Sequence, residues 1–568
     1  MLEIIIYCLI TTILFYAAGS LFVEKILNIK STNTKNPIIF VIYGFIFLSF
    51  VSLILNFFVP LSKNVNSLFS IILIAYFFNQ YLKNRYSYKI YYYFLIITFF
   101  SSLILIFSEA NRPDSGLYHF PYIKILNDSK IIIGLSNIHF RFGHISIIQY
   151  LNAFNFNHLF GPNGILIPQS IAVVSTICYF FKEFTIELKK NKHPQLIFYL
   201  FFSFIFCIYN YNRYGSFGND AITNIFFILT IYEFLKCHKI ETAKINSFFH
   251  LFLISSFTFL LKPFMITVFL FPLFLFFNNK IKIRSIINNK KFYIISLFLL
   301  SYIIKNILIS GCLIYPMNLT CLNSLKWANE ERTIQQELSG EAWSKDWSNI
   351  DQKNLVKQKD FINDFKWLKI WSKNHLRVVL KKIFPFIIFL VLFILYIRLH
   401  SKSEPTQNIL ATRKNLLFAL LVCIVSTLLW FLKFPIYRYG SGILGASIIV
   451  SSTVYLESKN ISKLQPKILK TFLYFMILII GLVSIKNIKR ITNNFDNKYL
   501  EYPWPKMYSF SKNNEKLKYS KIFKEDKLLF YINRDSLCMY GPSPCTYYYD
   551  KNIDLKIVNN YKLYYIKK

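Results

Sequence analysis

Between residues 3 and 486 the chain is built from apolar runs of about 16 to 23 residues, divided by short polar joints. Twenty helical residues rise about 30 Å, the thickness of a bilayer's hydrocarbon core, where a backbone finds no hydrogen-bond partner but its own carbonyls. Repetition of such runs leaves a bundle of membrane-crossing helices as the natural fold. Fourteen runs are read, at 3–23, 37–59, 67–82, 88–108, 165–181, 195–210, 220–235, 247–261, 264–278, 292–311, 380–397, 414–432, 441–456 and 467–486. Several are short for a bilayer. Composition agrees, with 54% hydrophobic and only 16% charged residues, where a soluble chain carries about 25% charged residues. The expected fold is an all-α polytopic membrane protein with about 14 transmembrane helices.

A formal net charge of +37, from 65 Lys and Arg against 28 Asp and Glu, would suggest nucleic acid in a soluble chain. Here the basic residues gather in alternate joints, at 25–35, 83–89, 182–192, 236–244, 280–291, 398–413 and 459–467. That alternation is the positive-inside pattern of cytoplasmic loops, and no nucleic-acid partner is expected. An even number of spans then puts both termini outside, with the long loops 109–164 and 312–379 and the tail 487–568. Glu3 and the lack of a positive n-region argue against a cleaved signal peptide, so the first run is expected to stay as a span. The expected location is a bacterial cytoplasmic membrane. Five parts follow: extra N-terminal helices 1–87, a membrane core 88–311 containing the loop 109–164, an extracytoplasmic loop 312–379, C-terminal helices 380–486, and a small outside appendage 487–568.

The cysteines sort by side. Cys8, Cys178, Cys207, Cys237 and Cys423 lie in or beside spans and read as small apolar residues. Cys312 and Cys321, and Cys538 and Cys545, lie in the outside segments, where disulfides are allowed. No His/Cys cluster has the spacing of a zinc site.

Acids beside the outer ends of spans are scarce and therefore informative. Asp114 stands in Asn111-Arg112-Pro113-Asp114-Ser115-Gly116-Leu117-Tyr118-His119-Phe120-Pro121. This string reads either as a Pro-Asp-Ser-Gly turn or as a carboxylate, near Arg112 and His119, placed to take a proton from an incoming hydroxyl. The segment 121–164, with Lys124, His139, Arg141, His144 and His158 among Ile and Phe, is expected to lie along the outer interface and could wall a groove. Asp220 follows Arg213 and Asn219 and either caps the seventh span or carries an acid toward the same cavity. Lys262-Pro263 breaks an apolar stretch at an outer turn, Lys305 lies within the tenth span, and Pro435-Ile436-Tyr437-Arg438-Tyr439-Gly440 joins two late spans outside. Singly, such cations snorkel to the interface. Several on one face suggest a surface that neutralises a lipid-linked phosphate. The loop 312–379 carries Trp327, Glu330, Glu331, Glu337, Glu341, Trp343, Asp346 and Trp347, types that stack and hydrogen-bond sugar rings but equally form a helical cap. In the tail, strand-like runs at 528–532 and 554–558 flank the Cys538–Cys545 segment.

Taken in order and on one side, these features resemble the GT-C membrane glycosyltransferases over about residues 88–456. The strings that carry the resemblance are "DSGLYHFP" at Asp114 to Pro121, "GND" at Gly218 to Asp220, Lys262-Pro263 within its run, and "YRYG" at Tyr437 to Gly440. The resemblance implies a GT-C-like core that moves a sugar, with inversion, from a polyprenyl-phosphate donor to a hydroxyl acceptor on a glycan or lipid. It implies catalytic roles for Asp114 and Asp220, with His119 beside them. Arg438 and Lys262 look like ligands of the donor phosphate, and Arg112, Tyr118, Arg141, Arg213, Lys305 and Tyr437 are further candidates for substrate contact. No cofactor is assigned; many members carry an acid pair where this chain has Asp114 alone, so a divalent cation stays open. The alternatives are a transporter or flippase of lipid-linked sugars, a polymerase or ligase acting on them, and a scaffold. No Walker-type loop is present, which disfavours an ATP-driven pump.

Overall fold

The computed structural model describes every residue except 29–35, 84–88, 109–113, 145, 238–243, 348–354, 401–408, 459–463, 495–503, 506, 508–518, 525–526, 534–536, 548–549 and 568. All fourteen apolar runs fall on helical structure, from Leu2–Leu21 and Ile38–Phe58 at the start to Tyr437–Glu457 and Pro466–Asn494 at the end. Among the described residues nine helices are long and apolar enough to cross a membrane: Leu2–Ile26, Ile38–Phe58, Lys63–Leu82, Gly161–Lys190, Lys290–Ser310, Trp367–His400, Arg413–Lys433, Tyr437–Glu457 and Pro466–Asn493. Lys89–Leu105, Pro194–Tyr209, Ile245–Leu261 and Pro263–Asn278 are apolar but shorter. The run at 220–235 is the helix Asp220–Lys236, whose 17 residues include Asp220, Glu233 and Lys236. The chain is a helical, multi-pass membrane protein.

Burial divides the helices by place. Gly161–Lys190 is enclosed almost all round, whereas Pro466–Asn493 is mostly uncovered. The uncovered side of the latter shows Tyr474, Ile477, Leu478, Leu482 and Ile485 at helical spacing, a stripe that suits hydrocarbon rather than water. The first two helices touch backbone to backbone. A Cβ on Gly19 would lie 1.7 Å from Phe40 O, and one on Gly44 1.7 Å from Phe15 O, the small-residue contact by which membrane helices approach closely.

The segment 121–164, expected along the outer interface, is largely buried within the protein. It forms the helices Phe120–Asp128 and Ile148–Phe154 and short 3-10 turns between and after them, and Ile123, Leu126, Tyr150 and Leu151 are buried. The helices Ile38–Phe58, Gly161–Lys190 and Lys290–Ser310 pack against it, and the tail adds to its cover. In the tail, β1 (Ser520–Lys524) pairs antiparallel with β2 (Lys527–Ile532), β2 pairs parallel with β3 (Cys545–Thr546), and β4 (Ile553–Val558) forms a hairpin with β5 (Tyr561–Ile566). β5 extends onto the first loop, with Ile133 N donating to Lys562 O and Tyr564 N to Ile133 O, both at 2.9 Å. Tyr540 Oη bonds Asn127 Oδ1 at 2.9 Å. Disulfides join Cys312 to Cys321 and Cys538 to Cys545, while Cys8, Cys178, Cys207, Cys237 and Cys423 are free thiols.

Candidate functional site

Four local breaks in helical structure deliver the site's charged groups. Asp114 begins a turn of π-helix, Ser115–His119, that runs into Phe120–Asp128. Asp220 opens its helix after Gly218, whose φ of +148° is open to glycine and strained for other residues. Lys262 is extended, at φ −158° and ψ 111°, between the helix Lys244–Leu261 and a 3-10 turn opened by Pro263, a residue that has no N–H to continue a helix. Arg438 is the second residue of Tyr437–Glu457. Asn224 fastens that helix end to the Asp220 helix, donating to Arg438 O at 2.9 Å and accepting from Gly442 N at 3.0 Å.

These breaks converge on one line of alternating charge. Arg141 Nη1 donates to Asp114 Oδ1 at 2.8 Å, and Arg438 Nη2 to Asp114 Oδ2 at 2.7 Å. Arg438 Nε lies 3.5 Å from Asp220 Oδ2, and Lys262 Nζ donates to Asp220 Oδ1 at 2.7 Å. Asp220 therefore does not cap its helix: the N-cap is Asn219, without a side-chain cap bond. Tyr439 completes the join. Its hydroxyl accepts from Arg438 Nη2 at 3.1 Å, and Lys262 Nζ sits 3.4 Å from its ring centroid, a cation–π geometry. Burial pushes the Asp114 carboxyl up, but Arg438 and Arg141 outweigh it and hold the group below the ordinary carboxylate range.

Behind the acids, His119 is buried and Gln149 Nε2 donates to its Nδ1 at 2.7 Å. Burial pushes the imidazole down to about 4, against the pull of Asp114 and Asp220, so the ring is neutral at neutral pH with its proton on Nε2. Burial, then Asp114, holds the Tyr118 phenol protonated well above its usual range. Arg141 lies over the Tyr118 ring at 5.2 Å.

Apart from Gln149, these groups line a cavity of about 820 Å³. Arg213 and Tyr437 line it too, joined by a bond of 3.0 Å from Arg213 Nη1 to the Tyr437 hydroxyl. The helix Glu330–Ser344 of the long loop contributes Gln336, Glu337, Glu341 and Trp343, and Trp347 follows. Trp343 is about half exposed, 5.9 Å from the Arg438 guanidinium. Trp327, Glu330 and Glu331 are not among the lining residues, and the Trp327 indole N–H is used on Ile307 O at 2.8 Å. Lys305 is buried one turn behind the wall, 4.1 Å from the Tyr302 ring centroid; Tyr302 and Asn306 line the cavity and Lys305 does not. Arg112 lies outside the described residues. Among the described residues no group of three or more His, Cys, Asp and Glu is arranged to hold a metal ion.

Sequence reasoning missed Gln149, Tyr439, Asn224 and Lys382, which line or brace the site. Tyr439 sits inside the "YRYG" string and was legible only as a neighbour of Arg438. The others carry no local signal, because their partners are distant in sequence. As an arrangement, two carboxylates clamped among three cations, beside exposed indole and a protonated phenol, suit an anionic group with a hydroxyl-rich neighbour.

A family model described as "Domain of unknown function (DUF8201)" matches residues 1–445. No curated protein and no solved structure matches the chain.

Proposed function

The chain belongs to the DUF8201 family, and from the geometry of its cavity we propose that it is a GT-C-type membrane glycosyltransferase, moving a sugar from a polyprenyl-phosphate donor to a hydroxyl acceptor. The acceptor is a glycan or lipid of the cell envelope, and the reaction takes place on the outer face of a bacterial cytoplasmic membrane. In this reading all fourteen apolar helices cross, both termini lie outside, and the tail is an extracytoplasmic unit. The observation that carries it is the alternating line Arg141, Asp114, Arg438, Asp220, Lys262 along one cavity wall.

The chemistry follows from the charges. Lys262 and Arg438 receive the donor phosphate, and Trp343 offers an aromatic face to the sugar. As the phosphate draws Arg438 away, Asp114 loses one of its two cations and its proton affinity rises. The acceptor oxygen attacks the anomeric carbon from the side opposite the phosphate and passes its proton to Asp114. The bond from anomeric carbon to phosphate oxygen breaks, and its electron pair leaves on the lipid phosphate, where the fixed cations stabilise the new charge. Asp220 keeps Lys262 and Arg438 aligned between turnovers.

The test compares envelope glycans and lipid-linked sugars in cells carrying wild type, a deletion, and Asp114→Asn at matched protein level. The expected outcome is that Asp114→Asn reproduces the deletion, lacking one sugar while its lipid-linked donor accumulates. A variant that matches wild type while the deletion shows a defect would overturn the reading in favour of a transporter or scaffold.

A further inference from the structure

The helix that the long loop turns toward the cavity contains a glycine that no turn or packing contact requires. Gly340 lies inside Glu330–Ser344 with an ordinary helical backbone, and it lines the cavity. Glycine within a helix lowers stability relative to alanine, because it gives up more backbone freedom on folding. Elsewhere in the chain a contact or a turn accounts for the residue. Gly19 and Gly44 let two helices touch, Gly442 lies against Asn224, and Gly218 and Gly311 take positive φ. At Gly340 an added Cβ would meet no atom of the described residues within 4 Å. The missing side chain leaves open space there, not room for another part of the protein.

The open position is at the middle of the cavity face. At 3.6 residues per turn, the other lining residues of this helix fall to both sides of Gly340, with Ser339, Trp343 and Gln336 on one and Glu337 and Glu341 on the other. Gln336 and Trp343 stand one turn before and one turn after it, about 10 Å apart along the axis. Gln336 has no hydrogen bond among the described residues, and Trp343 is about half exposed. The acids are engaged: Glu337 Oε2 accepts from Asn318 N at 3.0 Å, and Glu341 accepts from Lys345 at 2.6 Å and from Lys433 at 2.9 Å. The face therefore offers an indole, an uncommitted amide that both donates and accepts, and bare backbone between them. That suits a pyranose ring, which is apolar on its faces and hydroxylated at its rim.

We infer that the donor's sugar lies across this face, its ring stacked on Trp343 and filling the gap at Gly340 with a hydroxyl on the Gln336 amide, and that Gly340 sets the size of sugar the cavity takes. This rests on the transferase reading and adds where its sugar sits. The choice of donor over acceptor comes from Arg438, whose guanidinium is 5.9 Å from the Trp343 ring centroid. A sugar on Trp343 has its anomeric carbon beside the cation that holds the phosphate.

Envelope glycan and lipid-linked sugar in cells carrying Gly340→Leu at matched protein level test the inference. Transfer is expected to fall at least about tenfold, as when a reacting group is misplaced, and Gly340→Ala should give a smaller loss. Both purified variants should melt no lower than wild type, since each replaces glycine by a better helix former. Loss of transfer without loss of stability separates a ligand's space from a structural role. Gly481→Ala is the control: this glycine also lies inside a helix with no described atom within 4 Å of an added Cβ, but it does not line the cavity, and its glycan should match wild type. In protein blocked by Asp114→Asn, adding Gly340→Leu should reduce the lipid-linked donor that co-purifies, read by mass spectrometry. A wild-type glycan with Gly340→Leu, a lowered melting temperature in both Gly340 variants, a defect with Gly481→Ala as large as with Gly340→Ala, or undiminished co-purifying donor overturns the inference. Failure of the transferase reading shows elsewhere, in an intact glycan with Asp114→Asn.

Discussion

A carboxylate held by two guanidinium groups is a weak base until one of them is drawn off, and Asp114 rests in that state. Loss of the carboxylate in Asp114→Asn is expected to slow transfer by about 10²- to 10⁴-fold, measured as product formed by isolated membranes. Arg438→Lys, which keeps the charge but loses the planar fork, should retain more activity than Arg438→Gln. The perturbed groups also set a pH dependence of stability. His119 titrates at about 4 when folded, below the 6.5 of a free imidazole. The unfolded chain therefore takes up that proton first, and stability declines as pH falls from about 6.5 to about 4. Asp114 acts over a lower window: its depressed carboxyl stabilises the fold above the ordinary carboxylate range, about pH 4, and that contribution is lost as pH falls further. The melting temperature of the purified protein should fall across both windows, and His119→Gln should lessen the upper fall, to which His139 and His144, pushed by burial down to about 3, also contribute. At this scale the sequence was readable where charge is rare. Asp114, Asp220, Lys262 and Arg438 stood out because each interrupts apolar surroundings. Gln149 did not, since its role depends on a histidine thirty residues away.

Elements show what local pattern can and cannot reveal. Hydropathy located every long helix, because lipid demands a property that each run carries by itself. It did not reveal how deeply the segment 121–164 is buried, because its cover comes from partners elsewhere in the chain, the helices Ile38–Phe58, Gly161–Lys190 and Lys290–Ser310 and the tail. The tail also reaches the turn that carries Asp114. Met539 N donates to Gly116 O at 2.8 Å, and a Cβ on Gly116 would meet Met539 Sδ at 2.2 Å, so the disulfide-closed segment 538–545 backs the turn that carries Asp114. The tail lies beyond the residues matched by the family model, and its removal after Asn494 is expected to leave the helices inserted while transfer falls at least about tenfold, the cost of misplacing one reacting group. Membrane fractionation and product assay on the same sample separate the two effects. A second contact is structural alone. Gly44→Val would force a side chain into the Phe15 carbonyl and should cost about 3 kcal/mol or more, read as a lowered melting temperature in detergent and a lower protein level.

For the whole molecule, the difference between fourteen apolar runs and nine long helices is itself informative. The five that fall short are Lys89–Leu105, Pro194–Tyr209, Asp220–Lys236, Ile245–Leu261 and Pro263–Asn278. Their ends meet the cavity: Asp114 follows the first of them, Asn210 and Arg213 the second, Asp220 opens the third, and Lys262 parts the last two. A helix of 16 or 17 residues spans about 25 Å, short of a 30 Å hydrocarbon core. Under the proposed topology these helices stop early on the outer side, which would let water and charge reach below the membrane surface. On this account the short helices cross, and the cavity is the space they leave. Single cysteines at Lys192, Asn212, Lys282 and Leu319, in a background lacking the five free thiols, put this to a direct test with a membrane-impermeant thiol reagent. Asn212→Cys and Leu319→Cys are expected to react in intact cells, and Lys192→Cys and Lys282→Cys only after the membrane is opened. Asn212 lies between two of the short helices, so its labelling from the same side as Lys192 would mean that Pro194–Tyr209 does not cross. The charges gathered around Asp220 would then lack the outer face that the transfer reaction requires.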